Sequence, residues 1–328
     1  MAIGSLIGFA LVFVLVAWTA SAASGIALML SAKTLRRLGS AAEKRAAGLA
    51  LVVPPIFGGL IAVSLAGYSV FPGLLGGVDH CDSHGHHLHL CLIHGGEWSS
   101  RAWALSLISA LSAIVLVRVI QLVDTVVRGQ RRIRVVERSS IRIGGDKVPV
   151  FRSPSKQPFC FVAGFRAPRI FVASSAWDHS SSEEREAMLG HEHSHVENGD
   201  LWRSVALSVC ALFGAPLLGA QFKRLWGEAT ERLCDRLAAD RTGDSASLAA
   251  ALVKVARGPR YVGVLSFLPR PESVKDRVIA VLSQERTGRS LAKHMRRGAF
   301  GVVAITFVAT ATLADPLHHA LETLLGLI

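Results

Sequence analysis

Charged residues are scarce in this chain, and long stretches lack them altogether. Only 18% of the 328 residues are charged, whereas 51% are hydrophobic, and the mean hydropathy is +0.41. Residues 3–30 contain no charge, and a helix of that length can cross a bilayer. This composition excludes an ordinary soluble protein. The sequence therefore predicts an integral membrane protein that is mainly α-helical.

Four apolar stretches are the candidate transmembrane helices: residues 3–30, 46–75, 102–127 and 299–314. Pro54 and Pro55 interrupt the second stretch, and Arg118 lies within the third. The first stretch has no basic residue before it and a basic cluster after it, which is the reverse of a secretory signal peptide. We therefore expect it to stay in the mature protein as a membrane helix.

The positions of Lys and Arg predict the orientation. Residues 33–45 contain five basic residues and one acidic residue, whereas residues 79–101 contain three acidic residues and one arginine. Because cytoplasmic loops are enriched in Lys and Arg, we expect the first loop inside the cell and the second outside. Three regions follow from this topology. Residues 1–127 form a membrane region with three transmembrane helices and the external loop 79–101, residues 128–297 a cytoplasmic domain, and residues 298–328 a fourth transmembrane helix with a short external tail.

The formal net charge is +12, from 36 basic and 24 acidic residues. Since the basic residues cluster at the ends of the predicted spans, they indicate contact with anionic membrane lipid. No recognition motif and no interleaved aromatic pattern accompanies them, so the sequence does not predict nucleic-acid binding.

The segment His191-Glu192-His193-Ser194-His195 has the pattern H-E-x-x-H. Residues four apart lie on one face of a helix, so His191 and His195 can bind one zinc ion, while Glu192 reaches water bound to it. Ser180 to Ser182 and the two glutamates that follow are typical of a helix start. This segment predicts a zinc hydrolase rather than a solvated helix that happens to be rich in histidine.

Downstream, Glu231 lies in a second run of helix-forming residues. A glutamate on a second helix is the usual third ligand when H-E-x-x-H supplies two, so Glu231 is the predicted third ligand. Peptide hydrolysis also needs a donor to the oxyanion, for which Arg236, His193 and Arg241 are candidates that spacing does not separate.

These segments resemble a known group of enzymes. Residues 191–200, Ala215-Pro216-Leu217, the E-x-x-C-D that begins at Glu231 and the apolar strand at residues 167–172 are similar to the integral-membrane gluzincins of peptidase family M56, the group of the beta-lactam sensor-transducer BlaR. Residues 193–200 also resemble HtpX-type proteases of family M48. The resemblance covers roughly residues 135–282.

The resemblance implies a multi-pass protein of the cytoplasmic (inner) membrane of a bacterium, with an α+β zinc metallopeptidase domain on the cytoplasmic side. It implies Zn²⁺ on His191, His195 and Glu231, with Glu192 as the base and Asp235 orienting a ligand imidazole. A protein substrate, such as a cytoplasmic repressor, is implied as the partner. It does not extend to a penicillin-binding sensor domain, so it does not imply beta-lactam sensing.

Two other functions stay open at this point. One is membrane protein quality control, as in the HtpX group. The other is a non-enzymatic metal-binding or signalling membrane protein. The presence of Glu192 argues against the second, because a site that only binds metal has no need of a base.

The stretch 204–222 is apolar enough to cross the membrane, but a single crossing would separate Glu231 from both histidines. We therefore expect Gly214, Pro216 and Gly219 to break it into a shallow hairpin, or the stretch to be a helix buried against the domain. Either arrangement places the metal site close to the membrane face.

A small sheet is expected before the zinc helix. Strand-like runs occur at residues 133–136, 148–151, 159–162 and 170–172. Gluzincins commonly bind a peptide along a sheet edge, for which residues 159–165 are the candidate. Residues 247–256 and 271–284 have helical apolar spacing and are interpreted as packing helices without a chemical role.

The predicted external loop is rich in histidine and cysteine. These residues can bind a transition metal, but Cys81 and Cys91 can instead close a disulfide, and the spacing does not decide between the two. The candidate ligands are His80, Cys81, His84, His86, His87, His89, Cys91 and His94.

Overall fold

The computed structural model describes residues 2–74, 102–256 and 274–283. The long helices are α1 (Ala2–Leu38), α2 (Ser40–Leu74) and α3 (Ala102–Ser139). A small sheet follows, with strands β1 (Ile141–Gly144), β2 (Val150–Ser153), β3 (Cys160–Ala163) and β4 (Arg169–Ala173). The remaining helices are α4 (Ser174–Asp178), α5 (Ser182–Glu197), α6 (Asp200–Phe213), α7 (Pro216–Thr242), α8 (Ser245–Ala256) and α9 (Val274–Leu282). The prediction of a mainly helical protein with a small sheet is confirmed.

Within the described residues, three helices are long and apolar enough to cross a membrane: Gly8–Leu38, Ser40–Gly67 and Ser109–Ser139. They coincide with the first three predicted spans, which fits a membrane-associated protein. The predicted fourth span and the histidine-rich loop 79–101, with Cys81 and Cys91, lie outside the described residues.

Helices α1 and α2 form a tight hairpin. The segment 33–45, expected to be a loop, is helical on both sides of Gly39, which turns the chain with a φ of 89°. Farther along, a Cβ on Gly58 would lie 2.8 Å from the carbonyl oxygen of Phe13. The two helix backbones therefore approach closely because Gly58 has no side chain, as is common between membrane helices.

The sheet has the strand order β1-β2-β4-β3. The pairs β1–β2 and β3–β4 are antiparallel, and β2–β4 is parallel. Three of the four predicted strands are confirmed, as β2, β3 and β4. The prediction of a strand at residues 133–136 is wrong, because this segment is the end of α3 and packs Ile133 and Val136 against the sheet core. These two apolar residues are three apart, which is the helical spacing rather than the alternation of a strand.

Helix α5, which carries the H-E-x-x-H segment, begins where the sequence predicted. The Ser181 side chain accepts a hydrogen bond from the backbone N–H of Glu184, and the Glu184 carboxylate accepts one from the N–H of Ser181. This reciprocal capping box fixes the first turn. It sets the rotation of α5, and therefore the face on which His191 and His195 lie.

The apolar stretch 204–222 is a helical hairpin. Helix α6 ends at Phe213, residues 214 and 215 form the turn, and Pro216 opens α7. The predicted break at Gly214 and Pro216 is confirmed, whereas Gly219 lies inside α7 and does not break it. Because α7 returns along α6 and α2, it brings Glu231 back to α5.

The turn of this hairpin packs between the apolar helices α1 and α3. The Nη1 atom of Arg118 donates to the carbonyl oxygens of Leu212 at 2.7 Å and of Gly214 at 2.9 Å. On the other side, the N–H of Ala215 donates to Ser21 Oγ at 3.3 Å. Ser21 precedes the basic end of α1 at Lys33 by twelve residues, about 18 Å of helix. Turn backbone at that depth needs polar partners from the protein, and Arg118 and Ser21 supply them.

Replacing Arg118 with leucine should destabilise the protein. The substitution leaves two carbonyl oxygens without their charged donor, which costs roughly 2–4 kcal/mol. Thermal unfolding in detergent should therefore occur at a lower temperature. Arg132→Leu is the matched control, since Arg132 is exposed at the end of the same helix. Equal melting temperatures for the two variants would contradict the role of Arg118.

Candidate metal centre

His191 and His195 lie one turn apart on α5, and both are buried. Their rings meet edge to face with centroids 4.9 Å apart, and their Nε2 atoms are separated by 3.2 Å. Two imidazole nitrogens at this distance can share a proton or a metal ion. The arrangement is the one that two ligands of a single metal ion adopt.

Glu231 of α7 completes the set. Its Oε2 lies 3.6 Å from the Nε2 of His191, and its Oε1 lies 3.6 Å from the Nε2 of His195. A tetrahedral zinc site with metal–ligand distances of about 2.0–2.2 Å needs donor atoms about 3.3–3.6 Å apart. The observed separations of 3.2, 3.6 and 3.6 Å, of which the last two go to different oxygens of Glu231, are close to that requirement. The structure thus brings the three predicted ligands together in a group that can hold a metal ion.

Glu192 lies beside this group with only 6% of its surface exposed. Its Oε2 atom is buried and has no hydrogen-bond partner among the described residues. A buried carboxylate oxygen without a partner is costly. A water molecule held next to the three ligands would supply the missing donor, so the position of Glu192 fits a site that carries both a metal and a water.

Strand β3 passes next to Glu192. Burial raises the pKa of the Cys160 thiol well above its usual value, and the nearby Glu192 carboxylate raises it further. The sheet edge that was predicted to hold a peptide therefore borders the predicted base.

Each histidine is backed by an aspartate. Asp235 Oδ1 lies 2.9 Å from the Nδ1 of His191, as expected for the carboxylate predicted to orient a ligand. Asp200 Oδ2 lies 3.1 Å from the Nδ1 of His195. This role of Asp200 was not predicted from the sequence. The signal was Gly199, whose left-handed conformation (φ of 63°) reverses the chain after α5 and places Asp200, the first residue of α6, beside His195.

Arg277 of α9 is the second residue that the sequence analysis missed, and the interpretation of residues 271–284 as packing alone was wrong. Its guanidinium donates to both oxygens of Asp235 at 2.6 and 2.7 Å and lies 3.0 Å from Glu231 Oε2. Arg277 shares a helix face with Val274 and Val281. An arginine at such an apolar position was the available signal, since a buried arginine needs carboxylate partners.

These contacts set the charges of the site. Burial raises the pKa of Glu231, but Arg277 and the two histidines outweigh it and hold that pKa well below its usual range. For His191, burial lowers the pKa, whereas the carboxylates of Asp235 and Glu231 raise it to about 10. Without a metal, His191 is therefore protonated at neutral pH. A metal ion must displace that proton.

Two of the three candidate oxyanion donors have partners elsewhere. Arg241 donates to Glu197 at 2.7 Å and to the carbonyl oxygen of Gly190 at 3.3 Å, and Arg236 lies 3.8 Å from Asp240. His193 lines a cavity of about 450 Å³ with Trp177 and Arg185. A larger cavity, of about 870 Å³, lies behind the ligands on the side of Asp235 and Arg277, and Glu192 does not line it.

The region that contains this site is similar to a known peptidase family. The family model of Peptidase family M48 matches residues 128–261. That match includes His191, Glu192, His195 and Glu231, and it supports the predicted relationship to M48 peptidases, a group of metal-dependent proteases. The more specific likeness to M56 and BlaR stays a prediction. No curated protein matches the chain.

Proposed function

We propose that the protein is a membrane-embedded zinc metalloendopeptidase that hydrolyses peptide bonds in cytoplasmic or membrane protein substrates. The observation that carries this proposal is the convergence of His191, His195 and Glu231 beside the buried, partnerless oxygen of Glu192. The match to peptidase family M48 supports the reaction class. A site that only stores metal would not require a base in this position.

Each residue of the site has a distinct role in the proposed reaction. When bound, zinc lowers the pKa of its water and polarises the substrate carbonyl. Glu192 takes the proton from the attacking water and delivers it to the leaving amine. Asp200 and Asp235 lie 3.1 and 2.9 Å from the Nδ1 atoms of His195 and His191, which would leave each Nε2 free to bind the metal.

Strand β3 is the proposed binding edge for the substrate. It is an outer strand of the sheet, and the N–H of Ala173 donates to the carbonyl oxygen of Phe159 at 2.9 Å. Alternate residues of an antiparallel strand face the same neighbour. Cys160 and Val162 therefore direct their backbone N–H and C=O groups away from β4, where an extended peptide can pair with them next to Glu192.

The substrate bond is expected to lie close to the membrane. Asp200, which backs one ligand, contacts Lys44 in the first turns of α2, immediately before the apolar part of that helix. Two kinds of substrate can reach such a site. One is a segment of a membrane protein within a few residues of its membrane span, and the other is a cytoplasmic protein bound at the membrane surface. Cleavage of a cytoplasmic regulator is the proposed role. The M48 match favours membrane protein quality control as the second candidate.

Replacing Glu192 with glutamine tests the reaction. The substitution keeps the size of the side chain but removes the base, so peptide hydrolysis should fall roughly 10²–10⁴-fold. The metal content should not change, because Glu192 is not a ligand in this scheme. The measurement is cleavage of an unfolded protein such as casein by detergent-purified protein, with zinc measured by elemental analysis. Normal turnover by Glu192→Gln would rule out this base.

Metal binding is tested at a ligand and at its neighbour. His191→Ala should lose the tightly bound zinc, since it removes one of three donors, whereas His193→Ala, on another face of the same helix, should retain it. Removal of the histidines in residues 80–94 should also leave one zinc per chain. The assignment of zinc to His191 would be overturned if zinc were lost when the histidines in residues 80–94 are removed but retained in His191→Ala.

Zinc affinity should increase with pH. The carboxylates of Asp235 and Glu231 raise the pKa of His191 to about 10 in the metal-free protein, so zinc displaces a proton at any lower pH. One displaced proton makes the apparent affinity rise about tenfold per pH unit between pH 7 and 9. Competition with a chelator of known pH dependence measures it. An affinity that is constant over this range would show that no proton is displaced.

A further inference from the structure

Lys44, near the start of the second membrane helix, makes a buried contact with the metal centre. Its Nζ lies 2.5 Å from Asp200 Oδ1, and the two side chains are 6% and 0% exposed. The other carboxylate oxygen of Asp200 lies 3.1 Å from the Nδ1 of His195. Lys44, Asp200 and His195 therefore form one continuous chain of contacts from α2 to a proposed zinc ligand.

The preceding residue makes a parallel contact. Glu43 accepts a hydrogen bond from Arg232 at 2.6 Å, and Arg232 follows the proposed ligand Glu231 on α7. The Nζ of Lys44 also lies 5.6 Å from the centre of the Trp226 ring, and a Cβ on Gly48 would lie 3.5 Å from the same ring. Two adjacent charges of α2 thus reach both sides of the metal centre, and Trp226 fixes how α2 lies on α7.

The two aspartates of the site differ in the source of their cation. Asp235 is held by Arg277, which is part of the same group of helices as the ligands. Asp200 is held by Lys44, which comes from the α1–α2 hairpin, 156 residues earlier in the chain. The cation next to the aspartate of His195 therefore comes from α2, whereas the cation next to the aspartate of His191 comes from α9.

We propose that Lys44 is a positioning residue for the metal centre: it fixes Asp200 and thereby the orientation of His195, so that α2 supports one of the proposed ligands. This inference rests on the proposed zinc site. Without Lys44, Asp200 would be a buried carboxylate that has lost its cation, and it must turn or admit water. Either change removes the fixed partner of the His195 imidazole.

The test uses the full-length protein in detergent or in lipid nanodiscs. Lys44→Met should weaken zinc binding 10- to 100-fold, which is the usual effect of losing a residue that supports a ligand. Lys33→Met is the matched control, since Lys33 is exposed near the end of α1 and the substitution changes charge and shape in the same way. Its zinc affinity and turnover should equal those of the unaltered protein.

Three further measurements separate positioning from general stability. The visible spectrum of the cobalt-substituted protein should change in Lys44→Met, because it reports ligand geometry directly. Hydrolysis should lose kcat with little change in KM, and Lys44→Arg should restore part of the affinity. In an Asp200→Asn background, Lys44→Met should add little further loss, because both act through one chain of contacts.

The outcomes distinguish the two proposals. If the unaltered protein binds zinc and cleaves substrate, and Lys44→Met does so equally with the same cobalt spectrum, the role of Lys44 is refuted and the proposed function stands. If Lys44→Met fails to fold, Lys44→Arg decides the question, since it should fold and still show an altered cobalt spectrum. Zinc that stays bound in His191→Ala refutes the proposed site itself.

Discussion

The candidate site depends on one constraint: the chain after α5 must return so that Glu231 lies beside His191 and His195. The chain between them is apolar enough to cross, and it instead turns back at residues 214 and 215. Turning inside an apolar layer exposes the carbonyl oxygens at the end of α6, which Arg118 satisfies. A single arginine of α3 thus supports the turn that brings the three residues of the candidate site together.

Charge at the metal centre is arranged in two layers. Glu231 carries a negative charge next to the two histidines, and Asp200 and Asp235 lie behind those histidines. Three buried carboxylates in this volume would be strongly destabilising without cations. Arg277 contacts two of these three and Lys44 contacts the third, so each of the three has a cation beside it. The site is therefore preorganised, and a divalent ion bound there would replace the proton on His191.

Local patterns predicted the parts of the structure that local chemistry determines. The H-E-x-x-H face, the capping box of α5 and the hairpin break at Pro216 follow from residues within one or two helical turns. Asp200, Lys44 and Arg277 could not be assigned in this way, because their roles arise from contacts between segments distant in the chain. Lys44 is also one of the basic residues in the segment 33–45 that predicted the orientation, and nothing in that pattern distinguishes it as a partner of Asp200. The error at residues 133–136 arose because β-branched residues also suit a helix that packs on a sheet.

The match to peptidase family M48 covers residues 128–261 and leaves α1, α2 and α9 outside it. The matched region supplies the proposed ligands, the base and both supporting aspartates. Lys44 and Arg277, the cations that hold those aspartates, lie on either side of it. An aspartate orients a histidine only while its own position is fixed. The flanking segments therefore help to orient the two histidines, although they supply none of the proposed ligands. A movement of α2 would reach His195 through Lys44 and Asp200, and it would reach α7, next to Glu231, through Glu43 and Arg232.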